Sequence, residues 1–165
     1  MRVGGAFCGI IPGKNKETLM KRHALAVWKG ALTDGTGTID TQSGALKATP
    51  YSFKTRFEDE SGTSGTNPEE LLAAAHAGCF AMQLSHMLAE NGTPTDKLEA
   101  KAVVTVVPKD GGGFRITGSA LTLVAKVPGA TESDFLETAR KAKESCPVSV
   151  ALGAIDISLE ARLEA

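Results

Sequence analysis

An excess of charge of either sign, dense cysteine and plentiful aromatic side chains are all missing from this sequence, and each absence removes a class of function. Lys and Arg number 18 against 19 Asp and Glu, a formal net charge of -1, and no basic block occurs. Binding to nucleic acid or to an anionic membrane surface by charge alone is therefore not expected. The 3 cysteines, Cys8, Cys79 and Cys146, are too few and too scattered for a disulfide-stapled secreted scaffold, and they lack the paired spacing of a zinc site. Aromatic residues make up 5%, while the 18 glycines gather in short connecting stretches, as in strands joined by tight turns. A cleaved leader is not expected either: Val3 to Ile11 is a short, weak apolar run, and Phe7 before Cys8 is bulky where lipoprotein processing needs a small residue. Cytoplasmic residence is the default expectation.

What remains is a chain of 165 residues, 42% hydrophobic and 22% charged, which suits one globular domain with a real core. Its organising stretch is Asn67 to Asn91, NPEELLAAAHAGCFAMQLSHMLAEN, which predicts one long helix. Asn67 is a good N-cap, Pro68 suits the first helical position, and Glu69 and Glu70 put negative charge where the helix dipole favours it. From Leu71 to Ala89 there is no Asp, Glu, Lys or Arg, and apolar or small residues occupy every face, the pattern of a helix buried all round. Such a run has the length to cross a bilayer. His76, Gln83, Ser85 and His86 interrupt it, however, and favour a central helix of roughly 35 Å, sheathed by sheets or by a partner subunit. Cys79 sits too deep in this helix for the dipole at its start to activate the thiol.

Around that helix the chain reads as α+β. Residues 1–19 show no periodicity and read as an N-terminal extension outside the core, so that residues 20–165 form a single domain and Cys8 is a free thiol on an arm. RHALAVWKG, TGTID and YSFKTRFE predict a β-meander, followed by a polar connection, DESGTSGT, ahead of the central helix. Asn91 and Gly92 stop the helix. KLEAKAVVTVVP and FRITGSALTLVAKVP then alternate as strands joined by KDGGG, TESDFLETARKAKESC is an amphipathic helix capped by Thr131 or Ser133, and AIDISLEARLE returns to strand.

Two stretches carry candidate chemistry. In SCPVSVALG, Pro147 fits the first position of a short helix and makes Cys146 its N-cap, where unpaired N–H groups favour a thiolate. Cys79, inside an apolar run, needs a cation to ionise, and Arg56 in TRFE is the best candidate, with Glu69 placed to hold it by a bidentate contact. Blander readings stay open on spacing alone: Cys79 as a packed core thiol, Arg56 as a surface strand residue and Glu69 as a partner of the dipole. His76, three residues before Cys79, either tunes the thiol or is a core histidine with a satisfied ring, and His23 and His86 have no supporting constellation. A Cys/His metal site lacks ligands at useful spacing.

TRFE, GTNPEEL, AAAHAGCF and SCPVS, in that order and at these separations, resemble the osmotically inducible protein C family, relatives of the organic hydroperoxide resistance proteins, from about Lys21 to the C-terminus. The resemblance implies a thiol peroxidase that reduces organic hydroperoxides, built as an intertwined homodimer with two active sites at the subunit interface. It makes Cys79 the peroxidatic cysteine, Cys146 the resolving cysteine, Arg56 the activating arginine and Glu69 its partner. It further implies a Cys79 sulfenic acid, then a Cys79–Cys146 disulfide reopened by a lipoylated protein or a small dithiol, with no metal, flavin or haem. The loop between Arg56 and Asn67 is a few residues longer than in those relatives, and the extension before Met20 has no counterpart there. A redox-sensing or stress-interaction module with little turnover is the alternative from another class, and a purely structural role for the thiols is a third.

Overall fold

A computed structural model describes residues 19–164, so the extension expected at residues 1–19 and its Cys8 lie, except for Leu19, outside the described residues. The first three strands, β1 (Ala24–Lys29), β2 (Thr36–Thr41) and β3 (Thr49–Ser52), form the expected antiparallel meander. The run that follows β3 is not strand. FKTRF forms a short helix, α1 (Phe53–Phe57), closed by a capping box in which the Ser52 hydroxyl accepts from the Thr55 N–H while the Thr55 hydroxyl accepts from the Ser52 N–H. Arg56 therefore stands on a helical turn and not on a strand, a correction to the sequence reading.

The central helix, α2 (Pro68–Glu90), begins where its cap predicts, with the Asn67 side chain accepting from the Glu70 N–H at 2.8 Å. Burial all round does not hold within one chain. Glu69, His76, Phe80, Leu84 and Leu88 are buried along one stripe, whereas Ala74, Ala75, Gly78 and Met82 face outward, Met82 at 77% exposure. Although long and apolar enough to cross a bilayer, α2 packs its buried stripe on a second sheet and on the later helices.

That sheet has the order β4–β5–β6, with β4 (Lys97–Pro108) and β5 (Phe114–Lys126) paired antiparallel. Gly111, Gly112 and Gly113 make the connecting turn at φ +83°, +97° and +82°, a left-handed run that side chains rarely adopt. Helix α3 (Glu132–Ser145), capped by Thr131, and the short α4 (Pro147–Ala151) then cross over to β6 (Asp156–Glu164). The sequence pattern reads the strands after the central helix as antiparallel, but β6 pairs parallel with β5. A helical crossover is the connection that parallel strands require.

The core lies between this sheet, α2 and α3. On β5 every second residue, Ser119, Leu121, Leu123 and Ala125, is buried, and α3 buries Phe135, Thr138, Ala139 and Ala142. The N-terminal sheet belongs to no such layer: all six residues of β1 are exposed, Leu25 at 59%. Its tie to the second sheet runs through Phe57, which stacks on Phe114 at 4.2 Å between ring centroids.

Leu84, 0% exposed in the middle of the core, is expected to lower unfolding free energy by about 2–5 kcal/mol when changed to Ala. Urea unfolding at fixed protein concentration checks this, and a loss below about 0.5 kcal/mol would contradict the packing described.

Candidate active site

The loop after Arg56 closes on itself. Asp59 accepts from the Ser61 hydroxyl and N–H and from the Ser64 N–H, and these bonds, the Ser61 hydroxyl first, hold its carboxyl well below the usual carboxylate range. The loop returns to β3 where the Thr66 N–H donates to the Pro50 carbonyl at 2.9 Å. The approach is too close for a side chain at Gly65, whose Cβ would stand 2.4 Å from that carbonyl oxygen. Arg56 and Glu69 are thereby brought together: Nε donates to Oε2 at 3.1 Å and Nη2 to Oε1 at 2.6 Å, the bidentate contact expected. The guanidinium carbon also lies 4.8 Å from the Phe57 ring centre. Beside it opens an apolar cleft of about 220 Å³ lined by Trp28, Leu32, Tyr51, Phe53, Arg56 and Phe57.

Cys79 and Cys146 also meet. Both are free thiols; Cys79 is half-buried on α2, and Cys146 is 0% exposed where α3 ends and α4 begins. Cys79 packs against the buried cluster that holds Cys146, and each sulfur acts on the ionisation of the other, although 67 positions separate them along the sequence. Burial pushes the Cys79 thiol up; the Val148 backbone pulls against it, and Cys146 adds to the upward shift. Burial opposes ionisation of Cys146 as well, yet the Ser149 N–H, the Cys79 thiol, the Ser149 hydroxyl and the Val148 N–H together outweigh it, and that thiol is pulled down.

The arginine and the thiols are not adjacent within one chain. Glu69, which holds Arg56, precedes Cys79 by ten helical residues, about 15 Å of rise. Among the described residues no cation figures among the groups that act on the Cys79 thiol.

His76, one of the two open readings, is a core histidine with both ring nitrogens satisfied: Nδ1 lies 2.7 Å from the Ser119 hydroxyl and Nε2 2.9 Å from that of Ser149. Burial lowers its pKa and keeps the ring neutral. Sequence reasoning missed both serines. Ser149 carried a signal, lying three residues after Cys146 in the short helix; Ser119 carried none, being recruited by strand pairing. His86 lies 3.4 Å from Glu90 on the far turn of α2. A larger cavity of about 360 Å³ at that end of α2, beside Leu88 and Phe135, contains no predicted site residue.

The arrangement therefore gathers two free thiols at one place and holds an anion-seeking guanidinium, next to an apolar cleft, at another. Comparison with known proteins agrees with the sequence resemblance. A family model described as OsmC-like protein matches residues 59–160. Peroxiredoxin OsmC of Escherichia coli (strain K12) is 46% identical over 139 residues, covering 84% of this chain and 94% of that protein. The organic hydroperoxide resistance protein OhrB of Bacillus subtilis (strain 168) is 35% identical over 100 residues, 60% of this chain and 71% of that one. The crystal structure of B. subtilis OhrB superposes with a TM-score of 0.63 at 30% identity, covering 85% of this chain and 98% of that chain.

Glu69→Gln leaves Arg56 without its carboxylate partner. With the Arg56 side chain 32% exposed, solvent screening limits the expected loss of stability to about 1 kcal/mol. Chemical denaturation measures it, and an unchanged midpoint would show that the pair does not hold the loop in place.

Proposed function

The chain belongs to the OsmC-like protein family, and on that premise we propose that it is a thiol peroxidase that reduces organic hydroperoxides. The observation that carries this reading is that two free thiols lie at one edge of the core, Cys146 within the buried cluster and Cys79 packed against it. The Cys79 thiolate attacks the terminal peroxide oxygen; an S–O bond forms, the O–O bond breaks, and the alkoxide takes a proton and leaves as an alcohol. The Cys79 sulfenic acid then condenses with Cys146, releasing water and leaving a disulfide for an external dithiol to reduce.

The thiol that must attack first is the one that its own chain leaves protonated, and we assign the missing cation to the partner of a homodimer. Two features support an intertwined pair. The outward face of α2, Ala74, Ala75, Gly78 and Met82, has no cover in one chain. The N-terminal sheet, with Leu25, Val27 and Trp28 exposed, extends from the body as a layer with an uncovered apolar surface of its own. A two-fold arrangement laying one chain's sheet on the other's α2 carries Arg56 and Glu69 across to Cys79 of the partner subunit, where the guanidinium stabilises the thiolate and then the departing oxygen. The apolar cleft beside Arg56 suits an alkyl or lipid tail better than hydrogen peroxide. A redox sensor with little turnover, which needs the same accessible thiol beside a second cysteine, is the second reading.

Cumene hydroperoxide consumption separates the two. Without added reductant the wild type is expected to consume about one equivalent and lose both thiols, Cys146→Ser to consume about one and retain a dimedone-reactive sulfenic acid, and Cys79→Ser to consume none. With excess dithiol, sustained turnover identifies the peroxidase, whereas oxidation that stalls after one cycle identifies the sensor; full activity in Cys79→Ser refutes both. Arg56→Lys, a point charge in place of a planar fork, is expected to slow the first step roughly tenfold or more. Light scattering is expected to give twice the chain mass, and a monomer that turns over would refute the shared site.

A further inference from the structure

A polar contact that these steps do not use stands beside both thiols. Cys79, Gln83 and Met87 follow one another at four-residue intervals on α2, so their side chains form one row along the border of the buried stripe. The end of α3 lies against this row. Gln83 Nε2 donates to Ser145 Oγ at 3.2 Å, and the Met87 sulfur stands 3.9 Å from the same oxygen. Ser145 is the last residue of α3, and the next, Cys146, belongs to the buried cluster against which Cys79 packs. Each partner in the contact therefore neighbours a thiol: Gln83 lies one turn from Cys79, and Ser145 directly precedes Cys146.

Donor counting fixes the sense of the bond. A serine hydroxyl has one proton, and that of Ser145 goes to the Lys141 carbonyl at 2.9 Å, a far better acceptor than a thioether. The Ser145 oxygen is left to accept, so Gln83 must present its amide N–H and not its carbonyl. A second polar tie joins the same two helices at their other end, where Asn91, the C-cap of α2, donates to Thr138 Oγ1 at 3.2 Å. Between the ties α2 falls by eight positions while α3 rises by seven, so the helices run antiparallel and are pinned at two points. The Phe80, Leu84, Phe135, Ala139 and Ala142 side chains of the core fill the space between, but apolar burial is non-directional and does not by itself fix the register.

We propose that Gln83 is a positioning residue that, through Ser145, pins the junction of α3 and α4 to α2 one turn from Cys79 and so holds Cys146 in register to bridge with it. The consequence for catalysis rests on the peroxidase reading. There the bond serves the second step, in which the Cys146 sulfur attacks the Cys79 sulfenic acid; the S–S bond forms, the S–O bond breaks with its electron pair on oxygen, and the hydroxide released is protonated to water. Holding two reacting groups in place is worth a large effective concentration, which a loosened junction gives up.

The test follows bridge closure without any peroxide, in a chain carrying Cys8→Ser, which leaves Cys79 and Cys146 as its thiols. With an equimolar amount of dithiobisnitrobenzoate, Cys79 attacks the reagent and one coloured thiolate leaves; Cys146 then attacks the Cys79 sulfur, closing the bridge and releasing a second. Gln83→Ala and Ser145→Ala are each expected to slow the second release roughly threefold to tenfold, the scale of one hydrogen bond, while the first keeps its rate. The double variant is expected to close no more slowly than either single one, and Ser145→Thr, which keeps the hydroxyl, to close at the wild-type rate. A second release of wild-type speed in folded Gln83→Ala, an equal slowing of both releases, or losses that multiply in the double variant would overturn the proposal. A wild type with no second release would overturn it together with the resolving role of Cys146, whereas a bridge that closes regardless of Gln83 sinks this proposal alone and leaves the peroxidase reading to the consumption assay.

Discussion

A thiol enclosed by apolar side chains keeps its proton unless donors or a cation offset the lost hydration. That constraint orders the rest of the structure. For Cys146 the offset is local, in the N–H groups opened by Pro147 at the start of α4 and in the hydroxyl of Ser149. For Cys79, in the middle of a helix, the pull of the Val148 backbone does not offset burial and the neighbouring Cys146 among the described residues. The chain nevertheless places a guanidinium on a short capped helix, grips it with a carboxylate at 2.6 and 3.1 Å, and closes a loop on Asp59 to keep it there. A charge held that firmly beside an apolar cleft has more to do than decorate a surface, where a single exposed pair contributes little.

Helix α2 sets the distances between these parts. Its buried stripe begins at Glu69, passes through His76 and continues as Phe80, Leu84 and Leu88, so one face holds the arginine, orders the serines and fills the core in turn. Cys79 lies one residue from that stripe, at its border. The position explains why it is half-buried while Cys146, at a junction packed on the same stripe, is 0% exposed. An incoming peroxide thus meets Cys79 before Cys146, and on the peroxidase reading the division of labour between the two sulfurs follows from where a helical face ends.

Much of this was legible in the sequence because it is local. Asn67 with Pro68, Thr131, Cys146 with Pro147 and the three glycines of the hairpin each act within a few residues, and each element starts or turns where they place it. The misreadings have equally specific causes. FKTRF is rich in aromatic and β-forming side chains and reads as strand, but Ser52 and Thr55 satisfy each other's backbone N–H and start a helix. The all-round apolarity of α2 predicts cover by sheets or by a partner subunit, and a sequence answers to every surface the helix meets, whereas one chain covers only a stripe. The direction of β6 depends on the crossover through α3 and α4, and the pairing of His76 with Ser119 spans 43 positions; no local pattern encodes either.

On the peroxidase reading, the unequal treatment of the two thiols also sets the direction in which the disulfide opens. Exchange proceeds fastest when the attacked sulfur is accessible and the sulfur that departs is the better leaving group, which is the one with the lower pKa. Here the two requirements fall on different cysteines. Cys79, at the edge of the core, is the sulfur that an incoming dithiol can reach, and Cys146, whose anion the Ser149 hydroxyl and the α4 N–H groups favour, is the one fit to leave. The same donors that ready Cys146 to close the bridge therefore ease its departure when the bridge is reduced, and the mixed disulfide with the reductant forms on Cys79. A pair with the opposite bias, a buried sulfur of high pKa behind an exposed one of low pKa, would oxidise readily but resist reopening, and the cycle would stop at the disulfide.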